Sequence, residues 1–566
     1  MQLTAQHAPS NSQAPARVAT LVQTILQRQI AGNPQVVFIS TSNGDERARV
    51  ERLSGSNLQA CLAQLEQPAN AALLARMTQC KHLRVDIPQI VSAITMQELD
   101  PLLAKYKRNY FPHGLAWDDN FSQALLCEEL LANAIVYPGP NTEHAQLNEA
   151  NLKKYVKLKW GSKAALNTGK QQVVHVFNTH GFYSAQDGQV IELHAEGTAH
   201  GTRHREALTA EACMPLIHSA SEYLARQVKD DGTFVYGQFP CFGQPVAGYN
   251  TLRHASSLYA MLEALEVTHS KALDEAILRA LRLMVSKFIK VHRIGSNNRL
   301  AFLVDVGDEV KLGGNAVALL ALCKYTQLKQ DLTYMPLMKD LANGIAAMQN
   351  QSTGQFVHVL NYPSTTVKEQ FRIIYYDGEA AFAMMRMHEL MPKLGCIRVV
   401  EKAFEYFLKA NHAKAHDHWL SYCVNELTRH KPKAEYFQFG IHNVKDHLDF
   451  VQHRITTFPT LLELMMAAHH MIQRMQALPE HRALLDQIDT RQFYNALHHR
   501  ANYLLTGYFW PELSMFFHAP DSIEGSFFIR HHSFRVRIDD IEHYLSGLIA
   551  YRQALLSGTL PAAQPH

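Results

Sequence analysis

Residues 352–385 read STGQFVHVLNYPSTTVKEQFRIIYYDGEAAFAMM and combine three features that recur along the chain. A Gly-x-Phe turn comes first, a polar loop with aromatic residues follows, and an apolar helical pattern ends the segment. The same turn occurs in DGTF, with Gly232 and Phe234, and in EGSF, with Gly525 and Phe527. A repeated preface to a helix indicates a protein that is built from stacked helical units.

Six helix starts of this kind follow residue 205. They lie near Tyr249, Gly313, Tyr376, His418, Phe458 and Asp539. One helical hairpin cannot bury its apolar face alone, whereas six hairpins closed into a ring bury every inner helix against two neighbours and an outer helix. The pattern therefore predicts a mainly α protein with a C-terminal (α/α)6 toroid. A linear α-solenoid is the alternative, because periodicity alone does not establish closure.

The first part of the chain alternates between strand and helix patterns. Residues 35–53, QVVFISTSNGDERARVERL, predict two strands around a two-residue turn, because Asn43 and Gly44 readily adopt positive φ angles. Further patterns are strands at 82–87, 171–179 and 188–195, and helices at 17–30, 57–66, from Met96, and at 117–137. We expect a disordered tail at 1–16, an α+β domain at 17–205, the toroid at 206–558 and a second tail at 559–566.

Composition excludes several classes of protein. The chain has 54 basic and 51 acidic side chains, a net charge of +3, and lacks the concentrated basic face of a nucleic-acid-binding protein. No apolar run is long enough for membrane insertion, and the first residues lack the pattern of a signal peptide. The 8 cysteines form no C-x-x-C pair, which favours reduced thiols. These features predict a cytoplasmic protein.

Polar residues at the helix starts form the candidate site. If the inner helices run the same way round the ring, their N-termini meet at one mouth, where unpaired N–H groups favour an anionic or hydroxyl-rich ligand. The candidate substrate-binding residues are Tyr249, Asn250, Arg253, Asn315, Tyr376, Glu379, Asp417, Trp419, Arg537 and Asp540. Single Asp and Asn residues at these positions are also ordinary helix caps. Capping alone does not account for the groups of Arg, His and Asp that occur together.

Two kinds of acid–base chemistry fit these residues. A glycoside hydrolase needs two carboxyls on either side of the scissile bond, and Asp377 and Asp539 are the predicted pair. The predicted proton carriers are His254, His418 and His543, with Arg253 as the substrate clamp. A lyase or epimerase would instead need a His or Tyr base beside an Arg, which residues of the same set also provide.

Metal and cofactor binding have weaker support. His194, His200 and His204 are closely spaced, but they follow a predicted strand and belong to no H-E-x-x-H motif. His412 and His416, together with His418, form a second cluster. Zinc needs three or four convergent ligands, and no nucleotide-binding motif is present. We therefore predict no cofactor and no metal, with the first cluster as a weak candidate.

Several segments resemble the helix starts of the (α/α)6 six-hairpin proteins. They are DGTFVYG, YNTLRHA, LGGNA, YYDGEA, DHWL and RIDDIEHYLSGL. That group includes glycoside hydrolases, uronic-acid lyases and sugar epimerases, and its architecture is similar to that of lanthionine-forming cyclases. The resemblance implies an enzyme that modifies or cleaves an acidic or cell-envelope glycan or its precursor.

Two other functions remain open for this resemblance. One is a non-catalytic module that binds a glycan or peptide for a partner enzyme, and the other is a peptide-modifying, cyclase-like enzyme. In each case we expect a carbohydrate or another small polar or anionic ligand, and neither nucleic acid nor membrane as a partner.

Overall fold

The computed structural model describes residues 14–30, 34–294 and 298–562. Its helices are α1 (Ala14–Gln27), α2 (Leu58–Ala63), α3 (Ala71–Gln79), α4 (Met96–Leu103), α5 (Cys127–Ala132), α6 (Glu149–Trp160), α7 (Ala210–Gln227), α8 (Thr251–Thr268), α9 (Lys271–Leu283), α10 (Leu312–Lys329), α11 (Met335–Ala347), α12 (Tyr375–Leu390), α13 (Cys396–Lys409), α14 (His418–His430), α15 (Ala434–His442), α16 (Leu448–His453), α17 (Thr460–Ala477), α18 (Thr490–Tyr503), α19 (Pro511–Ser514) and α20 (Ile538–Leu556). Residues 1–13 and 563–566 of the predicted tails lie outside the described residues.

The strands of the described residues are shorter and fewer than the helices. They are β1 (Val36–Ser42), β2 (Arg49–Ser54), β3 (His82–Thr95), β4 (Gly114–Ala116), β5 (Ala124–Leu125), β6 (Val173–Ser184), β7 (Val190–Glu192), β8 (Gly237–Phe239), β9 (Gln244–Pro245), β10 (Ile289–Ile294), β11 (Asn298–Asp305), β12 (Glu309–Lys311), β13 (Val359–Asn361), β14 (Val367–Glu369) and β15 (Val536–Arg537). The expectation of a mainly helical protein is confirmed. None of the described helices combines the length and apolar character that a membrane crossing requires.

The chain forms two compact units. Unit 1 comprises the residues up to Glu206 together with 238–245 and 508–536. Unit 2 comprises 207–237, 246–507 and the residues from Arg537 onward. The sequence did not indicate that two later segments belong to unit 1. The predicted domain boundaries stay a prediction, because compactness does not show which part folds independently.

Unit 1 contains a seven-stranded sheet in the order β2-β1-β3-β6-β4-β5, with β7 paired to β6. The expected two-residue turn between β1 and β2 is wrong. Thr41 pairs with Arg49, so a longer loop joins the strands. The Ser42 hydroxyl orders this loop by donating to the Glu46 carbonyl at 2.6 Å and by accepting from the Gly44 N–H at 3.1 Å.

Helices α1, α2 and α3 contribute to the apolar core of unit 1, which includes Leu21, Leu62, Met77 and Phe182. The continuous helix predicted at 117–137 is interrupted. The Asp118 carboxylate accepts the N–H groups of Ser122 and Gln123 at 2.7 and 2.8 Å and holds a turn there. The turn leaves only α5 as helix and adds the short strand β5.

Unit 2 is a closed ring of helical hairpins. The inner helices pack in the order α8, α10, α12, α14, α17 and α20, and α20 returns to pack against α8. The outer helices α9, α11, α13, α15 and α18 pack on α8, α10, α12, α14 and α17, and α7 packs on α20. Contact between the last and first inner helices distinguishes a toroid from a linear solenoid. The predicted ring of six hairpins is therefore present.

Each predicted helix start lies within two residues of the first residue of an inner helix. The predicted positions were Tyr249, Gly313, Tyr376, His418, Phe458 and Asp539, and the inner helices begin at Thr251, Leu312, Tyr375, His418, Thr460 and Ile538. The polar residues at these positions were therefore a reliable sign of a helix N-terminus.

The Gly-x-Phe segments share one turn geometry. The φ angle is +86° at Gly232, +82° at Gly354 and +79° at Gly525. Each following phenylalanine is buried and forms a β-bridge to a residue before the turn. At Gly354 a Cβ atom would overlap the carbonyl oxygen of Lys402 on α13, so this turn needs glycine for its space as well as for its φ angle.

A second sheet precedes two of the inner helices. Strands β10 to β14 pair in chain order and are antiparallel. The first three strands belong to the connection between α9 and α10, and the last two belong to the connection between α11 and α12. The Leu312 N–H donates to the His358 carbonyl at 2.9 Å, which links the start of α10 to the second connection.

Candidate active site

Ionisable side chains from three inner helices meet in unit 2, two of them buried and the third, His543, partly exposed. Oε2 of Glu463 on α17 lies 2.8 Å from Nδ1 of His543 on α20. The same oxygen lies 4.0 Å from Nε2 of His418 on α14. The two imidazole rings have centroids 5.2 Å apart and stand almost perpendicular. We call His418, Glu463 and His543 the central group.

The local structure at the start of α14 places Asp417 beside His418. Asp417 caps this helix, because its Oδ2 accepts the Leu420 N–H at 2.9 Å. Its other oxygen lies 3.2 Å from Nδ1 of His418. That oxygen has no hydrogen-bond partner among the described residues, so its contact with His418 is a charge contact and not an oriented hydrogen bond. Nε2 of His418 is buried and also has no hydrogen-bond partner among the described residues.

Two carboxylates hold His543. Glu463 Oε2 accepts from its Nδ1, and Glu542 Oε1 lies 3.8 Å away. Burial lowers the pKa of His543, but these carboxylates outweigh burial and raise it to about 10. Burial raises the pKa of Glu542 to about 7, although the nearby His543 acts in the opposite direction. The pKa values of His543 and Glu542 are thus both raised, so each group holds a proton more readily than the free side chain does.

Glu379 reaches the same interior from α12, which does not neighbour α20 in the ring. Burial raises the pKa of Glu379 well above its ordinary value, and the charges of Asp417 and Glu542 add to this effect. A Cβ atom at position 313 would overlap Glu379, so Gly313 on α10 gives this carboxyl its space. Glu379 and Asp417 are thus the predicted binding residues that lie beside the central group.

The structure does not support Asp377 as a catalytic acid. Nε2–H of His358 donates to its Oδ2 at 3.1 Å, and His412 Nε2 lies 3.6 Å from the same oxygen. Nδ1 of His358 accepts the Arg372 N–H at 3.0 Å, which fixes the tautomer. Asp377 is almost completely buried and belongs to this pairing rather than to the central group.

Asp539 is likewise paired with other side chains. Its carboxylate accepts from Nε of Arg253 at 2.7 Å and from NH2 of Arg537 at 2.9 Å. Burial raises the pKa of Asp539, but Arg537 and Arg253 outweigh it, and the net shift is downward. Arg537 also lies 3.4 Å from Asp540. The predicted clamp, Arg253, therefore neutralises the predicted acid, and each of the two predicted carboxylates is paired with other side chains.

His254 has a packing role in place of the predicted proton transfer. Its Nδ1 lies 2.8 Å from the Tyr249 hydroxyl, and its Nε2 lies 3.0 Å from the Ala280 carbonyl. The Tyr249 hydroxyl also accepts the Phe234 N–H at 3.1 Å. Both ring nitrogens are engaged in the fully buried side chain. Asn250, next to Tyr249, caps α8.

Acidification is expected to destabilise the protein through His254. Burial lowers its pKa to about 4, so the folded state keeps the ring neutral. Stability from this group is complete above pH 6.5 and falls as the pH drops towards 4, by roughly 3 kcal/mol. We expect His254→Gln to remove this part of the pH dependence in urea unfolding between pH 7.5 and pH 4. Parallel pH profiles of the two proteins would contradict the assignment.

Of the remaining predicted residues, some have a structural role and others lie close to the central group. Asn315 is fully buried, accepts the Leu303 N–H and donates to the Lys311 carbonyl, both at 2.8 Å. Trp419 is buried with its ring 5.0 Å from that of His418. Tyr376 is buried beside position 313. Trp419 and Tyr376 are thus close to residues of the site, whereas Asn315 holds the start of α10.

The weak metal candidates of unit 1 do not converge on one point. The rings of His194 and His204 lie 3.8 Å apart, but Nε2 of His200 lies 3.3 Å from the Thr179 hydroxyl. Nδ1 of His200 lies 3.7 Å from Glu128. In unit 2, His416 contacts the Asn443 carbonyl at 2.9 Å, away from the central group. Neither histidine cluster that the sequence suggested forms a metal-binding geometry in the described residues.

Glu463 and Glu542 are the residues that the sequence analysis missed. Glu463 lies in TLLELMM, an apolar run that reads as core. A single acidic residue in a fully buried helix was the available signal, because such a residue needs a specific partner. Glu542 directly precedes His543 and was hidden among the other polar residues of RIDDIEH.

The closed ring places unit 2 among the (α/α)6 toroids, as the resemblance predicted. The chain is similar to a cellobiose 2-epimerase from Bacillus thermoamylovorans B4167, with 12% identity, a TM-score of 0.46 and coverage of 61% of this chain and 99% of that one. A D-mannose isomerase has 10% identity and a TM-score of 0.45 over 63% and 100% of the two chains. An unsaturated glucuronyl hydrolase from Bacillus sp. GL1 has 12% identity and a TM-score of 0.44 over 61% and 97%.

These three proteins are by name an epimerase, an isomerase and a hydrolase, and the resemblance named epimerases and glycoside hydrolases but not isomerases. At such identities and TM-scores the likeness says nothing about the reaction of this chain. No family model and no curated protein matches the sequence.

Proposed function

We propose that this protein is a carbohydrate-active enzyme that transfers a proton at a carbon beside the carbonyl of an open-chain sugar, as an epimerase or isomerase does. The observation that supports this proposal is the pair of carboxylate-held histidines, His418 and His543, inside the ring. Moving a proton off and back onto carbon needs one base and one acid within reach of the same substrate. Two imidazoles with centroids 5.2 Å apart provide such a pair.

The geometry assigns different roles to the two histidines. His418 acts as the base through Nε2, which is buried and has no hydrogen-bond partner among the described residues, and the Asp417 carboxylate 3.2 Å from Nδ1 stabilises the positive charge that the ring gains. His543 acts as the acid, because Glu463 and Glu542 stabilise its positive charge. Removing the proton from the sugar carbon leaves an enediol-type oxyanion, which the imidazolium of His543 protonates. In an isomerisation, the imidazolium formed at His418 then gives the proton to the neighbouring carbon, and neutral His543 takes a proton from the other enediol hydroxyl, so both histidines return to their starting states.

The charge of the site favours a neutral substrate. Asp417 and Glu463 are buried within 4.0 Å of the histidines, and a substrate carboxylate would have to enter beside them. Like charges at short distance in a buried site repel strongly. We therefore propose a neutral, hydroxyl-rich sugar rather than the acidic glycan that the resemblance implied. The partly exposed ring of Tyr375, whose centroid lies 5.6 Å from that of His418, offers a surface for the apolar face of a sugar.

The alternatives have less support from the described residues. A cyclase-like enzyme would need a cysteine among its zinc ligands, and no cysteine belongs to either group with metal-compatible geometry. Hydrolysis by Asp377 and Asp539 would require two carboxyls that are instead paired with His358 and with two arginines. A binding module would have no need for oriented histidines of this kind.

Isotope exchange tests the proposed function. The full chain is incubated in D₂O with neutral aldoses, ketoses and disaccharides, with uronic acids as the charged comparison. We expect NMR to show deuterium at the carbon beside the carbonyl of a neutral sugar, together with its epimer or isomer. Cleavage of a glycosidic bond without deuterium incorporation would contradict proton transfer at carbon. Exchange confined to uronic acids would contradict the neutral substrate.

A further inference from the structure

The ligand atoms of the central group lie close enough to share one metal ion. His418 Nε2, Glu463 Oε2 and His543 Nδ1 all lie within 4.8 Å of one another. In a tetrahedral zinc site with bonds of about 2.0–2.2 Å, neighbouring ligand atoms are roughly 3.3 Å apart. The separations from Glu463 Oε2, 2.8 Å to His543 and 4.0 Å to His418, lie on either side of that value. Small side-chain rotations would bring the three atoms to one ion.

The surrounding contacts also have the form of a metal site. Metal-bound histidines commonly give their second N–H to a carboxylate, which fixes the ring. Asp417 lies 3.2 Å from Nδ1 of His418 and is placed for that role. The Tyr422 hydroxyl donates to Oε1 of Glu463 at 3.2 Å, which leaves Oε2 directed at the histidines. The buried Nε2 of His418 has no other partner among the described residues.

The central group differs from a similar group in unit 1 in the cations that lie near its carboxylates. His82, Asp521 and Glu524 also have metal-compatible spacing, but the Lys81 ammonium lies 2.6 Å from Asp521 and 3.1 Å from Glu524. That cation already neutralises the carboxylates. Within the described parts of the chain, the carboxylates at the ring interior have no ion pair with Lys or Arg. They are Glu379, Asp417, Glu463 and Glu542.

We propose that the central group binds a single Zn²⁺ ion and that the ion inhibits the enzyme. Two imidazoles and one carboxylate suit zinc better than the harder Mg²⁺ ion, which prefers oxygen ligands. The inhibitory part rests on the proposed function, because the ion would occupy the Nε2 lone pair that His418 needs as a base. Zinc would also displace the proton that Nδ1 of His543 donates to Glu463, so zinc and proton transfer compete for both histidines.

Calorimetry on the metal-stripped full chain tests the site. We expect one tight Zn²⁺ equivalent per chain, no comparable Mg²⁺ binding, and a loss of affinity of at least about 100-fold in Glu463→Gln. Asp417→Asn keeps all three ligands and is expected to weaken zinc binding about 10- to 100-fold. This variant tests the site even if Glu463→Gln folds poorly. His218→Gln, at an exposed position on α7, is the matched control and should bind zinc as the parent does. Undiminished tight binding in both Glu463→Gln and Asp417→Asn would overturn the site.

The isotope-exchange assay separates the two proposals. We expect saturating Zn²⁺ to reduce deuterium incorporation to background and a chelator to restore it. Faster exchange with zinc would overturn inhibition and make the ion a catalytic one. If exchange occurs and zinc does not bind, the metal site is wrong and the enzyme function stands. If zinc binds and no sugar exchanges, the enzyme function is wrong, and inhibition is wrong with it, while the metal site stands.

Discussion

His418→Asn is expected to lower the turnover of the responsive sugar on the order of 10³-fold. The substitution removes Nε2, the only nitrogen of the central group that is both buried and without a partner among the described residues. The side chain of Asn still reaches the position of Nδ1 and can contact Asp417, so the start of α14 should remain ordered. The rate of deuterium incorporation in D₂O, measured with substrate in excess, gives the effect directly.

Two further variants distinguish a loss of catalysis from a loss of folded structure. Asp417→Asn retains the imidazole but replaces the carboxylate beside it, and we expect a smaller loss, about 10- to 100-fold. His218→Asn changes a histidine on α7 that is about half exposed, and it should leave both exchange and thermal unfolding unchanged. Retention of more than half of the activity by His418→Asn, in a protein that unfolds like the parent, would rule out His418 as the base.

Gly354→Ala is expected to lower the free energy of unfolding by roughly 2–5 kcal/mol, because it adds both backbone strain and a steric overlap. The φ angle of +82° costs an L-residue about 1–2 kcal/mol. The new Cβ would also overlap the Lys402 carbonyl oxygen, and displacing packed backbone costs about 1–3 kcal/mol more. Urea unfolding at pH 7.5, followed by far-ultraviolet circular dichroism, measures the sum.

Gly307→Ala is the matched control for this turn. Gly307 has a φ of +78°, but no atom lies within 4 Å of an added Cβ. We expect a loss of about 1–2 kcal/mol, the conformational part alone. Equal losses in the two variants would show that the turn of Gly354 does not depend on close approach to α13.

The sequence was most informative about the ring. Gly354 and Phe356 marked a turn whose backbone only glycine adopts easily, and such a requirement is visible without coordinates. Helix starts were equally visible, because caps such as Asn250 and Asp417 act within three residues of chain. Closure of the ring was not derivable in this way. It depends on contact between α8 and α20, which lie almost 300 residues apart.

The site could be predicted only in part, because the role of a charged side chain depends on partners that are distant in sequence. Asp377 looked like an acid at a helix start, but His358 from the preceding connection holds it. Asp539 looked equivalent, but Arg253 neutralises it from another hairpin. His418 and His543 were among the predicted residues, whereas Glu463, which joins them, lay in a run that resembled core.

A ring that closes on itself has no terminal repeat. In a linear array the end units have one neighbour fewer and fray first, whereas every hairpin of unit 2 is an interior one. Unit 2 should therefore unfold in one cooperative step. The central group lies on α14, α17 and α20, the last three inner helices in chain order, so the site is incomplete until α20 has been synthesised. The three site residues would therefore come together only when α20 closes the ring.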